Sequence, residues 1–107
     1  MKIYTDSNPK TIAYISDKSF VKDITSLSLT SNEAEYEAVL QALHDNIGDV
    51  DILSDSQLVV NQLNHKYNIR EDRLRTLALK VWKLCEGRKV TFTWIPRKEN
   101  LAGRLLG

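Results

Sequence analysis

The chain is 107 residues long, with 42% apolar and 27% charged residues; these are the proportions of an ordinary globular domain with its own core, not of a disordered tail or a fibre. Its single cysteine, Cys85, excludes an intrachain disulfide framework or a cysteine zinc cluster, and no apolar run approaches the ~20 residues that cross a bilayer. Fifteen Lys and Arg against fourteen Asp and Glu leave a net charge of +1, so a polyanion would have to be gathered by a local patch and not by the field of the whole molecule.

The opening "KIYTD" is short, β-branched and aromatic, which predicts a strand ended by a turn at Ser7-Asn8-Pro9. "TIAYIS" predicts a second strand and "FVKDITSLSL" a third, with a turn at Asp17-Lys18-Ser19 between them. Three strands joined by short turns form an antiparallel meander. At Thr30 the period changes: Tyr36, Val39, Leu40 and Leu43 recur at helical spacing through "TSNEAEYEAVLQALHDN", and Ala34, Ala38 and Ala42 favour helix throughout. Thr30 with Glu33 three residues later reads as a capping box, and Gly48 as the stop.

"DVDILSD" follows as a short buried strand running into Asp55-Ser56, then "SQLVVNQLNH" as a second helix. A third helix, "REDRLRTLALKVWKLCEG", carries Leu74, Leu77, Val81 and Leu84 on one stripe and stops at Gly87. "KVTFTWI" alternates with period two as a last strand; Pro96 breaks it, and a terminal helix is expected from near Glu99. Trp82 and Trp94 are expected in the core, packing the third helix and last strand onto the sheet. This order predicts an α/β domain over 1–107, a five-stranded mixed sheet with strands one to three antiparallel and helices on both faces. The first residues lack the apolar stretch of a secretory signal, so a cytoplasmic location is expected.

Two aspartates stand at predicted strand ends, Asp6 before a turn and Asp55 before a helix, where open α/β sheets collect polar functional groups. Asp55 also reads as a helix cap, a role Ser56 could fill equally. On the first helix Glu33 is taken by the capping box, which leaves Glu35 without a local explanation beyond that of a boundary glutamate. If the first and fourth strands are neighbours, Asp6, Glu35 and Asp55 can converge. Carboxylates so placed repel unless cations lie between them, and hard divalent ions with oxygen ligands are the usual answer.

The blocks "YTDS", "TSNEAEYEAVLQAL", "ILSDSQLVVNQL" and "VTFTWIPRKENLAGRLL" resemble, in order and spacing, the four blocks of type 1 ribonuclease H. The resemblance implies a ribonuclease H-like fold and a metal-dependent endoribonuclease that cuts the RNA strand of RNA/DNA hybrids, leaving a 3′-hydroxyl and a 5′-phosphate. It implies Asp6, Glu35 and Asp55 as catalytic metal ligands for two Mg²⁺ ions, with Mn²⁺ able to substitute. Ser7, Thr30, Ser31, Asn32, Gln57 and Lys98 are the implied substrate contacts, small polar side chains suiting the ribose hydroxyls of an A-like hybrid. No membrane association and no obligate protein partner is evident.

The sequence departs from the family in two places. "HKYNIR" joins the second and third helices directly, without the inserted basic helix and loop of some members. In the last block the family pattern Asn-x-x-Ala-Asp ends here on Gly103 in place of its fourth acid. Three explanations compete: three carboxylates with substrate phosphates suffice; Glu99, four residues before Gly103 and so on the same helix face, compensates; or the domain is weakened or inactive and only binds nucleic acid. Gly103 itself either ends the helix or leaves room for a phosphate to approach Lys98 and Arg104.

Overall fold

The structure is a computed structural model that describes residues 1–106. The elements run β1 (Lys2–Asn8), β2 (Thr11–Ile15), β3 (Ser19–Asp23), α1 (Ser31–Asp45), β4 (Val50–Ser54), α2 (Gln57–Leu63), α3 (Asp72–Leu84) and β5 (Val90–Trp94). The five strands form one sheet in the order β3-β2-β1-β4-β5. β1 to β3 pair antiparallel, whereas β4 runs parallel to both β1 and β5. The mixed sheet is the predicted one.

The core lies between one face of the sheet and the helices. Ile3, Tyr14 and Ile52 from three adjacent strands pack against Tyr36, Val39 and Leu43 of α1 and Leu74, Ala78 and Val81 of α3. Side chains alternate along a strand, so Asp6, three residues after Ile3, points to the other face together with its cross-strand partner Ala13. The C-terminal segment covers that second face, resting on β1 and β2 with Ala102 fully buried.

Local side-chain hydrogen bonds account for the differences from the predicted boundaries. β1 extends past the expected turn to Asn8, whose Oδ1 accepts from the N–H groups of Lys10 and Thr11 at 2.8 Å and tightens the reversal. β3 stops at Asp23, because its carboxylate accepts from Thr25 N and starts a 3-10 turn, Thr25–Leu27, in place of further ladder. The terminal helix is not α-helical: two 3-10 turns, Arg97–Glu99 and Leu101–Leu106, are split by an extended Asn100. Asn100 cannot continue a helix, since its Nδ2 is tied to Thr5 O and its Oδ1 accepts from Ala102 N.

Trp82 is partly buried as expected, its Nε1 donating to Leu63 O. Trp94 is 42% exposed, contrary to expectation, because β5 is an edge strand and no element lies beyond it.

Candidate active site

The parallel register of β1 and β4 pairs Tyr4 with Leu53, and continuing it by two residues brings Asp6 level with Asp55. Asp55 is not used as a helix cap. That role falls to Ser56, whose Oγ accepts from Val59 N at 3.2 Å. At the start of α1 the capping box is complete: Thr30 N donates to Glu33 Oε1 at 3.1 Å and Glu33 N donates to Thr30 Oγ1 at 3.2 Å. Glu35 is left free to turn toward the strand ends. One carboxylate oxygen from each of Asp6, Glu35 and Asp55 lies within 4.8 Å of the others. The cluster therefore sits at the carboxyl ends of the two central strands, where polar functional groups of α/β sheets gather, and not along an edge strand.

The surroundings make this convergence costly. Burial, and after it the negative charge of Asp6 and then that of Asp55, raises the Glu35 carboxyl to about 8. The neighbouring Ser7 hydroxyl and the Arg97 charge oppose part of the rise. Ser7 Oγ nonetheless falls short of hydrogen-bonding geometry, so it and Glu35 Oε2 are both buried without a partner. Asp6 is also raised, chiefly by burial and then by Asp55, against the 2.8 Å hydrogen bond that Ser7 N donates to its Oδ1 and the charge of Arg97. Like charges held together, with lone pairs uncommitted, are relieved by a cation. The all-oxygen donor set suits a hard divalent ion of the Mg²⁺ class.

Two residues that tie the site together are not site candidates in the sequence, Asn100 and Trp94, the latter expected in the core. Asn100, 4% exposed, donates through Nδ2 both to Thr5 O at 2.8 Å and to Asp55 Oδ2 at 3.3 Å, joining the C-terminal segment to both central strands. Trp94 donates its indole N–H to Asp55 O at 3.1 Å. Asn100 is legible in the sequence as a polar residue of the last block, but its burial is not.

The remaining residues named from the sequence divide clearly. Thr30, Ser31 and Gln57 are exposed at the starts of α1 and α2, Asn32 and Ser7 are half-buried, and Lys98 is exposed. Glu99 is exposed and stands outside the acid cluster, because the break at Asn100 removes the shared helix face that would have carried it there. Gly103 does lie against the cluster: a Cβ built on it would be 3.0 Å from Asp6 Oδ2. Counted strictly from Asn100, the family spacing reaches Arg104 instead, but Arg104 is exposed and it is Gly103 that meets Asp6. A groove of about 510 Å³ between α1 and α3 is lined by Leu40, Leu84 and their neighbours and contains none of the three acids.

Comparison with known proteins agrees with this fold. The sequence pattern of the reverse transcriptase-like family matches residues 18–106. The bifunctional protein Rv2228c of Mycobacterium tuberculosis is 29% identical over 76 residues, covering 66% of this chain and 21% of the relative, so the chain spans about a fifth of that curated relative's length. The solved N-terminal RNase H domain of Rv2228c superposes with a TM-score of 0.81 at 26% identity, covering 97% of this chain and 88% of that one. RNase H1 from Halobacterium salinarum NRC-1 gives a TM-score of 0.79 at 24% identity over 94% of this chain and 89% of its own. LC11-RNase H1, isolated from compost and solved in complex with an RNA/DNA hybrid, gives 0.73 at 24% identity over 99% of both chains. The last two likenesses show the fold alone.

Proposed function

The chain belongs to the reverse transcriptase-like family and is a type 1 ribonuclease H-like domain, and from that premise we propose that it is a divalent-metal-dependent endoribonuclease that hydrolyses the RNA strand of RNA/DNA hybrids. The observation that carries this reading is the meeting of the Asp6, Glu35 and Asp55 carboxylates at the ends of two central strands, each offering an oxygen within 4.8 Å of the others. The hybrid held by LC11-RNase H1, a chain of the same fold, supports the choice of substrate.

Asp6, Glu35 and Asp55 would hold Mg²⁺, with Mn²⁺ as substitute, at the strand ends. When bound there, the ion pair would acidify an attacking water and neutralise charge on the leaving oxygen. The protein's part is positioning. Asn100 fixes the Asp55 carboxylate, Ser7 N fixes that of Asp6, and the α1 capping box holds the turn from which Glu35 projects. Thr30, Ser31 and Asn32 at the start of α1 and Gln57 at the start of α2 present hydroxyl and amide groups to ribose and backbone, with Ser7 and Lys98 beside the acids. No side-chain nucleophile is required.

The test is incubation with a labelled hybrid, with matched RNA and DNA duplexes as controls, in Mg²⁺, in Mn²⁺ and in EDTA. Metal-dependent cutting confined to the RNA of the hybrid is expected. Salt-sensitive binding without cutting in either metal would replace this reading with that of a non-catalytic nucleic-acid-binding domain, which the glycine against Asp6 favours.

A further inference from the structure

On the second face of the sheet, between the acids and the C-terminal segment, lies a polar cavity of about 360 Å³. Its floor is Asp6 and Gly103, and three cationic side chains, Arg97, Lys98 and Arg104, line its wall. All three are exposed, and among the described residues none forms an ion pair. Three cations around one cavity, on a chain whose net charge is only +1, are a local concentration of positive charge, of which only the Arg97 charge is felt by Asp6 and Glu35.

Neutral donors complete the cavity. Asn8 Oδ1 is occupied by the N–H groups of Lys10 and Thr11, which orients the amide and leaves its Nδ2 as a free donor on the lining. Ser7 Oγ, also on the lining, has no partner. Gly103 gives the cavity its depth: a side chain would begin 3.0 Å from Asp6 Oδ2 and fill the space between that carboxylate and the cations.

We propose that this cavity is a phosphate subsite, in which Arg97, Lys98 and Arg104 take a backbone phosphate of the nucleic-acid substrate beside the one that is cut. The proposal rests on the hybrid-nuclease reading for its substrate, but the subsite's chemistry stands on the cavity alone. Guanidinium groups match phosphate oxygens two at a time and the ammonium adds a point charge. The lone carboxylate on the floor is outnumbered by the cations. Gly103 thus exchanges an acid for a space into which a phosphate can descend.

The experiment measures hybrid affinity by fluorescence anisotropy in EDTA over a salt series, for the wild type, Arg97→Gln, Lys98→Gln, Arg104→Gln and, as a control on α3, Lys80→Gln. Each lining variant is expected to reduce the slope of log K against log salt by about 0.7–0.9, the value of one lost phosphate contact, with an affinity loss of about three- to tenfold at moderate salt; Lys80→Gln leaves both unchanged. A hybrid that binds with unaltered slope in all three lining variants overturns the subsite while leaving the nuclease reading intact. If the wild type binds no hybrid, the nuclease reading fails and inorganic phosphate decides the subsite by amide NMR. Shifts at Ser7, Asn8 and Gly103 that vanish in the Arg97→Gln/Arg104→Gln double variant uphold it as a site for free or terminal phosphate, and their absence in the wild type overturns it.

Discussion

Charge is withdrawn from water at both ends of α1, and the two ends treat it in opposite ways. Past the C-terminus, the half-buried Arg88 donates to the carbonyls of Gly48 at 2.7 Å, Leu43 at 3.0 Å and Leu84 at 3.5 Å, and to Asn46 O as well. These carbonyls include free ends of α1 and α3, where a cation is favoured by the helix dipole as well as by hydrogen bonding. Near the N-terminus, the Glu35 carboxyl joins those of Asp6 and Asp55, where ionising all three would set like charges together, and one of its oxygens is unpartnered. A half-buried charge with four of its five N–H donors bonded to carbonyls serves the fold. Like charges left unsatisfied hold stored repulsion that only a ligand removes.

The largest expected effect tests the acid end. Asp6→Asn or Asp55→Asn should lower hybrid cleavage at least about a thousandfold, equivalent to ~4 kcal/mol of transition-state stabilisation, while stability in EDTA stays level or rises. An unchanged rate in Asp55→Asn would remove that residue from the mechanism. At the other end, Arg88→Ala strands several carbonyls and should destabilise the protein by ~2–4 kcal/mol in urea unfolding, with Arg88→Lys restoring only part because one ammonium cannot span them. Mg²⁺ affinity should not follow this loss; if it did, the two ends would be one coupled unit.

A smaller effect is set by pH. The Glu35 carboxyl lies at about 8 in the folded chain against an ordinary 4.5, so the folded state binds its proton more tightly than the unfolded state. This group's contribution is fully present below pH 4.5 and is lost as pH rises through about 8; Asp6, also raised, acts in the same direction. Metal-free protein should therefore unfold more easily at high pH, and Glu35→Gln should recover ~1–3 kcal/mol there. Parallel stability–pH curves for wild type and Glu35→Gln in EDTA would refute the stored repulsion, and Mg²⁺ should stabilise more at high pH than at pH 6.

The smallest effect concerns Gly103. Its new Cβ would press on Asp6 Oδ2 from 3.0 Å, so Gly103→Ala should displace that carboxylate by a few tenths of an ångström and raise the Mg²⁺ needed for half-maximal cleavage by about three- to tenfold, ~1 kcal/mol. Gly103→Asp carries the same strain and adds an oxygen ligand. It should therefore require less metal than Gly103→Ala, and equal requirements would show that the position cannot serve as a ligand site.

Much of this was legible in the residues. The change of period at Thr30, the capping box that occupied Glu33 and released Glu35, and the placement of Asp6 and Asp55 at strand ends all rest on interactions between residues a few positions apart. Such contacts are inscribed in spacing. The misread points share the opposite property. Trp94 reads as core because aromatic residues at regular spacing usually pack inside, but whether a strand lies at an edge depends on what pairs beside it. Glu99 read as a neighbour of Gly103 because four residues make a helical turn, but Asn100 is pulled out of helix by the carbonyl of Thr5, 95 positions away.

The sequence by itself thus determined most of the elements and their order, because local hydrogen bonding and hydrophobic period act along the chain, and it marked the three acids as candidates. Only the tertiary structure decided that the acids are packed closely enough to raise the Glu35 carboxyl, that Asn100 and Trp94 brace Asp55, and that Gly103 opens a basic cavity against Asp6. Burial, electrostatic repulsion and close approach depend on distances through space, and those are set by the packing of β1, β4, α1 and the C-terminal segment upon one another.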